Sequence, residues 1–559
     1  MPRHITVGLH IGHDRSVSIV ESGRLIAHLA EERMDRNKHS HSVSFPRKAL
    51  FAILNYCNLS LSDVSAFGIS YSFVDIASVL PGLAEDLRHQ FQLGDVPIFG
   101  VSHHFSHALS AFHTSPFDAA TVFVADGAGD LCPNGKVEAE TAYSATQFGL
   151  SLLWSREQDI PASYADRRTF FRVPYLPSAD LDKQISIGRK YEQLTYLLGF
   201  GWGQSGKTMG LAPYGKALFE LPARATDPTT GFDLRMSDLI DDLEGAKKRS
   251  GEPFDLYVRN RRADIAATVQ KGLEDVALSM VSHLHTLHPS DNLCLAGGLF
   301  LNCVLNHKIL SATPFKNVYI VPACGDDGQS VGAALHAYHQ LYGPAHAPQA
   351  LSAYLGPGYS MAVIEAELEN AGLRYERHTD EALLDEVAGR LRQGLICGLL
   401  RGRSEMGPRA LGHRSILAAP TLPGVRDHLN HYVKRREGFR PFAPMVTAEA
   451  QFRYFDLRAP SRFMLFTAAV KAPYREMLPG VSHVDGSARV QAVAASDDPF
   501  LHALLSKMEE CNGHPILLNT SFNVAGEPIV ETPRDAISSF LRSNLDFVVL
   551  ENYLVVKAR

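Results

Sequence analysis

His103 and His107, in "VSHHFSHALSAF", are four residues apart, and that spacing raises the question of a metal. On a helix, positions i and i+4 share a face, so both rings can point at one ion while His104 faces elsewhere. Asp126 ends the strand-like run "TVFVADGAGD", and Asp326 sits in the "CGDDGQS" turn after another, with Asp327 equally available by spacing. Carboxylates at strand ends beside open glycine turns can complete a site of two histidines and two aspartates. Nitrogen and oxygen ligands without thiolate suit iron, zinc or manganese. Against this stands the ordinary reading, in which an aspartate before glycine only closes a turn and a helical histidine pair alone carries little weight.

Other residues point to phosphate. Gly127, Gly129, Gly297, Gly298, Gly325 and Gly328 lie in turns where backbone amides can approach a phosphate chain. "GKTMGLAPYG" adds Lys207, although the GxxxxGKS/T spacing is missing. Arg401, Arg403, Arg409 and Arg414 crowd one segment, and Lys434, Arg435, Arg436 and Arg440 another. In a chain of net charge −6 such local excess suggests an anion site, because guanidinium forks match phosphate oxygens. A solvated basic face is the competing reading. "LLNTSFNVAGEP" supplies Asn519, Thr520, Ser521 and Asn523, groups that can orient a nucleotide or simply end a strand.

These residues need strands and turns to hold them. "ITVGLHIG" and "SVSIVESGRLIAHLAEE" alternate as strands do and turn at Glu21-Ser22-Gly23. "ATVFVADGAGD", "NLCLAGGLFLN" and "NVYIVPACGDDGQSVGAALHAYHQL" each read as a strand running into a glycine turn, the last two leading into helices. Such units build α/β domains with ligands at the strand ends. The Pro-, Gly- and Ala-dense stretch at 341–360 is the best linker, giving domains at 1–350 and 351–559. The 559 residues, 45% hydrophobic, suffice for both cores. No apolar run is long enough to span a bilayer, and the N-terminus lacks the pattern of a signal peptide. Seven scattered cysteines without a CxxC predict reduced thiols and a cytoplasmic protein.

In order along nearly the whole chain, "EERMDRNKHS", "HHFSHALSAF", "ADGAGD", "GKTMGLAPYG", "AGGLFLN", "GDDGQSVGAA", "GPRALGHRSIL", "REGFRPFAP" and "NTSFNVAGEP" resemble the O-carbamoyltransferases of the NodU/CmcH family. The resemblance implies an N-terminal actin/hexokinase-like (ASKHA) domain similar to TsaD, followed by a YrdC-like α/β domain. It implies that carbamoyl phosphate and ATP, with Mg2+, form carbamoyl-adenylate in the second domain. The first domain then passes the carbamoyl group to a hydroxyl of a small-molecule acceptor, as in antibiotic biosynthesis. Carried over by position, His103, His107, Asp126 and Asp326 match the ligands of a divalent metal, expected to be Fe2+, with Zn2+ or Mn2+ as alternatives. His13 of "GHDRS" matches the position serving transfer, where it accepts the hydroxyl proton or polarises the carbamoyl group. Lys434, Arg436, Ser521 and Asn523 match the KxR and SxN pattern, and Arg409 and Arg489 are further anion contacts. Lys207, Gly127, Gly297, Gly298 and Asn302 are carried over as nucleotide contacts. The chain departs from the family pattern at Ser205 in "GQSGK" and at His413 in "ALGHRS".

A tRNA-modifying threonylcarbamoyl-type transferase and a non-enzymatic ATP-binding module are the alternatives. The acidic charge and the lack of a basic stripe with interleaved aromatics argue against a nucleic-acid partner. No membrane partner is expected, and a homodimer is left open.

Overall fold

The structure, a computed structural model, describes residues 3–159, 185–219, 221, 223–225, 232–344 and 351–557. Its first part contains two five-stranded sheets. One runs in the order Arg24–Ala30, Ser16–Glu21, Ile5–Ile11, Val64–Tyr71, Ile98–Gly100. The first three strands are antiparallel neighbours, and the last two join in parallel. The second sheet repeats that order and those directions with Gly149–Gln158, Val137–Thr146, Ala119–Ala125, Asn292–Ala296 and Asn317–Ile320. An antiparallel meander extended by two parallel crossover strands, present twice, is the duplicated architecture of the actin/hexokinase-like fold.

The hairpin expected at Glu21-Ser22-Gly23 forms, with Ser22 at φ 50° and Gly23 at φ 82°, as a two-residue turn demands. The alternation in Ile5–Ile11 does not separate core from solvent, because every position is buried. Ile5, Val7, Leu9 and Ile11 pack into one apolar cluster with the helix Arg47–Tyr56. Thr6, Gly8 and His10 face the helix Gln329–Tyr342, where Thr6 Oγ1 donates to the Ala334 carbonyl at 2.9 Å. That helix is pressed between the sheet and the helix His103–His113. A Cβ added at Gly332 would lie 1.9 Å from the Ser106 carbonyl oxygen, so only glycine permits the approach. The small residues of "GQSVGAALHA" thus hold Asp326, one turn upstream, against the histidine helix.

The second part is built on an eight-stranded mixed sheet in the order Glu376–Arg377, Tyr553–Val556, Phe547–Leu550, Cys397–Leu400, Arg414–Ala418, Ile516–Ser521, Ala443–Thr447, Gln491–Val493. The helices Asp380–Arg392 and Pro499–Asn512 bury their apolar faces in one cluster on it. A small sheet of Phe455–Asp456, Thr467–Val470 and Ser487–Arg489 carries Arg489 at its end. Among the described residues no strand pairing joins the sheets before 344 to those after 376. The predicted linker includes 345–350, which lie outside the described residues. Contact between the two parts is partly apolar, with Phe300 and Leu465 in one cluster and Phe439 against Phe200 at 6.2 Å between ring centroids, and partly polar. Arg33 donates to the Gly407 carbonyl (3.1 Å), Arg36 to those of Ile529 (2.7 Å) and Pro528 (2.9 Å), and Arg403 to that of Ile26 (2.9 Å).

Arg414 is the largest side chain buried without exposure. Its guanidinium donates to the carbonyls of Arg401, Gly402, His413, Pro357 and Glu531 and lies 3.6 Å from the equally buried Glu531 carboxylate. Arg414→Met would strand that carboxylate. It is expected to cost about 3–5 kcal/mol, read as a lower urea midpoint. Among the described residues no helix is long and apolar enough to cross a membrane, and the seven cysteines are free.

Candidate active site

His103 and His107 stand on successive turns of the helix His103–His113 and point to one face, as their spacing requires. Asp126 follows the strand Ala119–Ala125, and Asp326 opens the turn after Asn317–Ile320. Ligand atoms of all four lie within 4.8 Å of one another. His103 Nε2 is 3.0 Å from Asp126 Oδ2 and 3.4 Å from Asp326 Oδ1, and His107 Nε2 is 3.4 and 3.3 Å from the same atoms. His104, as expected, turns away to Thr141 (3.1 Å). Asp327 is not part of this group.

The residues present fit a metal ion. Ser72 Oγ donates to Asp326 Oδ2 at 3.2 Å and therefore accepts from His103 Nδ1, 3.1 Å away. Uncharged His103 then turns the Nε2 lone pair toward the two carboxylates. His107 Nε2, buried beside them, has no hydrogen-bond partner. Burial opposes charge on His103, yet the Asp326 charge and the bond to Asp126 hold it well above the usual histidine range. The centre draws positive charge, and outer partners such as Ser72 are what orient metal-ligating imidazoles.

His13 adjoins this centre. Its Nε2 is 3.0 Å from Asp326 Oδ2 and its Nδ1 is 3.2 Å from Asp14 Oδ2. Burial lowers it, but Asp326 and Asp14 outweigh burial and raise it to about 9. Asp14, at φ 51°, is held in turn by His39 Nδ1 at 2.9 Å. Burial, with Asp14 and Glu32 nearby, pushes Asp327 up to about 8.

A second centre lies in the C-terminal part. Lys434 follows a π-helical turn, Leu429–Val433. Its Nζ donates to the Ser521 carbonyl (2.7 Å) and Oγ (3.2 Å) and to the Asn523 carbonyl (2.9 Å) and Oδ1 (2.5 Å). Burial, and then Arg436 and Arg440, press its amine well below the usual lysine range, against the weaker pull of the Glu527 charge. Burial and the neighbouring charges of Arg440 and Arg489 lower Arg436 to about 9, while burial and Arg409 lower Arg489 to about 9. The Arg489 guanidinium has no hydrogen bond or ion pair among the described residues. Half-buried guanidiniums whose charges depress one another suit an anion.

Two contacts join the centres. Arg409 donates to the Leu301 carbonyl at 3.1 Å, in the glycine turn that follows Asn292–Ala296. Lys207 pairs with Glu437 at 2.6 Å, and Glu437 also lies 3.7 Å from Arg440. Gly127 and Gly298 turn their amides to Asp126 Oδ1, at 2.7 and 3.3 Å. Gly297 takes φ 102° against the Ala125 backbone, a conformation open to glycine. Asn302 Oδ1 caps the helix Cys303–Ala312 and its amide pairs with Gln270.

The carbamoyltransferase N-terminus pattern matches residues 80–335 and the carbamoyltransferase C-terminus pattern residues 388–557. The nodulation protein NolNO of Sinorhizobium fredii is 33% identical over 98% of this chain and 79% of its own. The chain belongs to the carbamoyltransferase family. Nodulation protein U of Bradyrhizobium diazoefficiens is 28% identical over 93% of this carbamoyltransferase and 92% of its own length. Among solved structures, full-length HypF in its phosphate- and nucleotide-bound form shares 15% identity at TM-score 0.39, over 62% of this chain and 57% of that one.

Sequence reasoning missed three groups in this carbamoyltransferase. Ser72 sits just past the strand Val64–Tyr71, where position alone gave no cue. Asp130 Oδ2 accepts from the His103 backbone N–H at 2.8 Å and so anchors the start of the histidine helix. Its place in "ADGAGD" was the available signal. Glu405 Oε1 accepts three backbone N–H groups, those of Leu411, His413 and Arg414, at 2.8–3.0 Å, and so shapes the "GPRALGHRS" loop that carries Arg409. His413, the departure from the family pattern, stacks on Tyr354 with ring centroids 3.6 Å apart and bonds Asp498 at 2.5 Å.

Proposed function

We propose that this carbamoyltransferase uses ATP to convert carbamoyl phosphate into carbamoyl-adenylate at the arginine cluster. It then passes the carbamoyl group to a hydroxyl of a small natural product beside His13. The observation that carries the reading is the half-buried set Arg409, Arg436, Arg440 and Arg489, close enough for their charges to oppose one another and tied by Arg409 to the turn at Leu301. Water attacks the phosphorus of carbamoyl phosphate, the bond from phosphorus to the bridging oxygen breaks, phosphate leaves, and carbamate keeps both of its oxygens. A carbamate oxygen attacks the α-phosphorus of ATP, and pyrophosphate departs with its charge held by the guanidiniums. Lys434, its N–H groups taken up by Ser521 and Asn523, holds those two residues beside the guanidiniums.

In the second stage the acceptor hydroxyl attacks the carbamoyl carbon, the carbon–oxygen bond to AMP breaks, and AMP leaves. Asp14 accepts from Nδ1–H of His13. A divalent ion on Asp326 would offset the charge that raises His13, and the neutral ring, its lone pair on Nε2, can then take the hydroxyl proton. His103, His107, Asp126 and Asp326 would hold a divalent ion, iron with zinc or manganese as alternatives, whose chemistry there is charge stabilisation at the departing phosphate. Keeping both centres in one chain limits exposure of a readily hydrolysed adenylate to water.

Mixing the protein with MgATP and carbamoyl phosphate, without acceptor, tests the first stage. Pyrophosphate release that requires both substrates is expected. Release from ATP alone, or none from the pair, removes the reading. A basic patch suited to bulk tRNA is absent from the sequence, and no gel shift with tRNA is expected.

A further inference from the structure

His10 lies on the strand Ile5–Ile11 with no exposure, next to the metal centre but outside the four-residue group. Its hydrogen-bond chain fixes which ring nitrogen carries the proton. Gln329 Nε2 donates to the His103 carbonyl at 3.0 Å, so its Oε1 is the atom turned to Ser70. Ser70 Oγ donates its one proton to that Oε1 at 3.0 Å. It can therefore only accept from His10 Nδ1, 2.7 Å away. The proton is on Nδ1, and Nε2 bears a lone pair. That Nε2 is buried, has no hydrogen-bond partner, and lies 3.9 Å from Asp326 Oδ2. A lone pair facing a carboxylate in a dry interior is unfavourable unless something that donates or carries positive charge lies between them.

The same device recurs two residues along the chain. Ser72 donates to Asp326 and accepts from His103 Nδ1, just as Ser70 donates to Gln329 and accepts from His10 Nδ1. Both serines fix an imidazole's Nδ1–H and leave its Nε2 facing Asp326. The separation from the four-residue group argues for an indirect role for His10, and Asp326 supplies the shared neighbour.

We propose that His10 is a positioning residue of the metal centre, its Nε2 accepting a hydrogen bond from a water that completes the ion's surroundings on the Asp326 side. The inference rests on the metal reading above. The side chain touches neither acceptor nor nucleotide. Its effect is to fix that water and, through it, the ion.

The test uses the full-length protein stripped with a chelator and titrated with Mn2+ alone and Zn2+ alone by calorimetry. His10→Asn keeps a donor for Ser70 and removes the outer acceptor. Metal affinity is expected to fall by about 10–100-fold, the usual effect of removing an outer-shell partner. The thermal midpoint of the metal-free protein should be unchanged. His10→Gln, which can return an oxygen near the Nε2 position, should recover much of the loss. Ser70→Ala, which releases the tautomer, should also weaken binding, and it decides the matter if His10→Asn does not fold. His103→Ala is the control for the centre itself. Unchanged affinity in His10→Asn and Ser70→Ala, with His103→Ala abolishing binding, would overturn the role of His10 and leave the metal reading standing. A wild-type protein that takes up neither ion would remove both.

Discussion

Replacing His13 with asparagine is expected to leave pyrophosphate release from ATP and carbamoyl phosphate at the wild-type rate and to slow carbamoyl transfer by about 10²–10⁴-fold, the usual contribution of a positioned general base. The arrangement is specific enough to make the split sharp. His13 sits between Asp14 and Asp326, next to the four-residue centre, and belongs to the N-terminal part of the chain. Lys434, Ser521 and Asn523 form their own hydrogen-bonded group in the other part. Asp14→Asn should follow His13→Asn in direction, because asparagine no longer requires the proton on Nδ1. Rates of pyrophosphate release and of carbamoylated product, measured side by side, check the prediction. An equal fall in both would mean that His13 supports the fold rather than the transfer step.

The opposite split is expected from the arginines. Arg489→Met and Arg436→Met should each slow pyrophosphate release by about 10²–10³-fold, the scale of removing one fixed donor from developing charge. Uptake of Mn2+ by the N-terminal centre should stay at the wild-type level. Arg489 is the sharper probe. It has no partner among the described residues, so its loss strands no buried acceptor, and its lowered pKa comes from burial and from Arg409. Arg436 also holds Asn430 Oδ1 at 2.7 Å, and its variant should show a modest loss of stability as well. Chemically synthesised carbamoyl-adenylate should bypass both variants and restore product.

Much of the fold was legible because the strands are long and end in glycine turns. The hairpin at Ser22-Gly23, the strand ending at Asp126 and the turn at Asp326 all follow from local pattern. The burial of both faces of Ile5–Ile11 was not, since it depends on a helix more than three hundred residues away. The choice of Asp326 over Asp327 had the same origin. Adjacent carboxylates are equivalent in a sequence, and only the packing of Gln329–Tyr342 against the histidine helix separates them. Arg489 lies in "DGSARVQAV", far from the other basic residues, so local charge density could not bring it to Arg436 and Arg409. The resemblance gives Asn302 as a nucleotide contact, and in the structure its Oδ1 caps the helix Cys303–Ala312. His10 is a single histidine in an apolar strand, and its meaning comes from Ser70 and Gln329 on two other elements.

The most direct measurement follows oxygen rather than rate. Carbamoyl phosphate labelled with oxygen-18 in both oxygens on the carbamoyl carbon is turned over with unlabelled ATP and an acceptor alcohol, and the AMP is examined by mass spectrometry. If a carbamate oxygen bonds to the α-phosphorus and the hydroxyl later attacks carbon, that oxygen must leave with AMP, so AMP carries one heavy oxygen. Unlabelled AMP alongside carbamoylated product would mean that the carbamoyl group never passes through an adenylate.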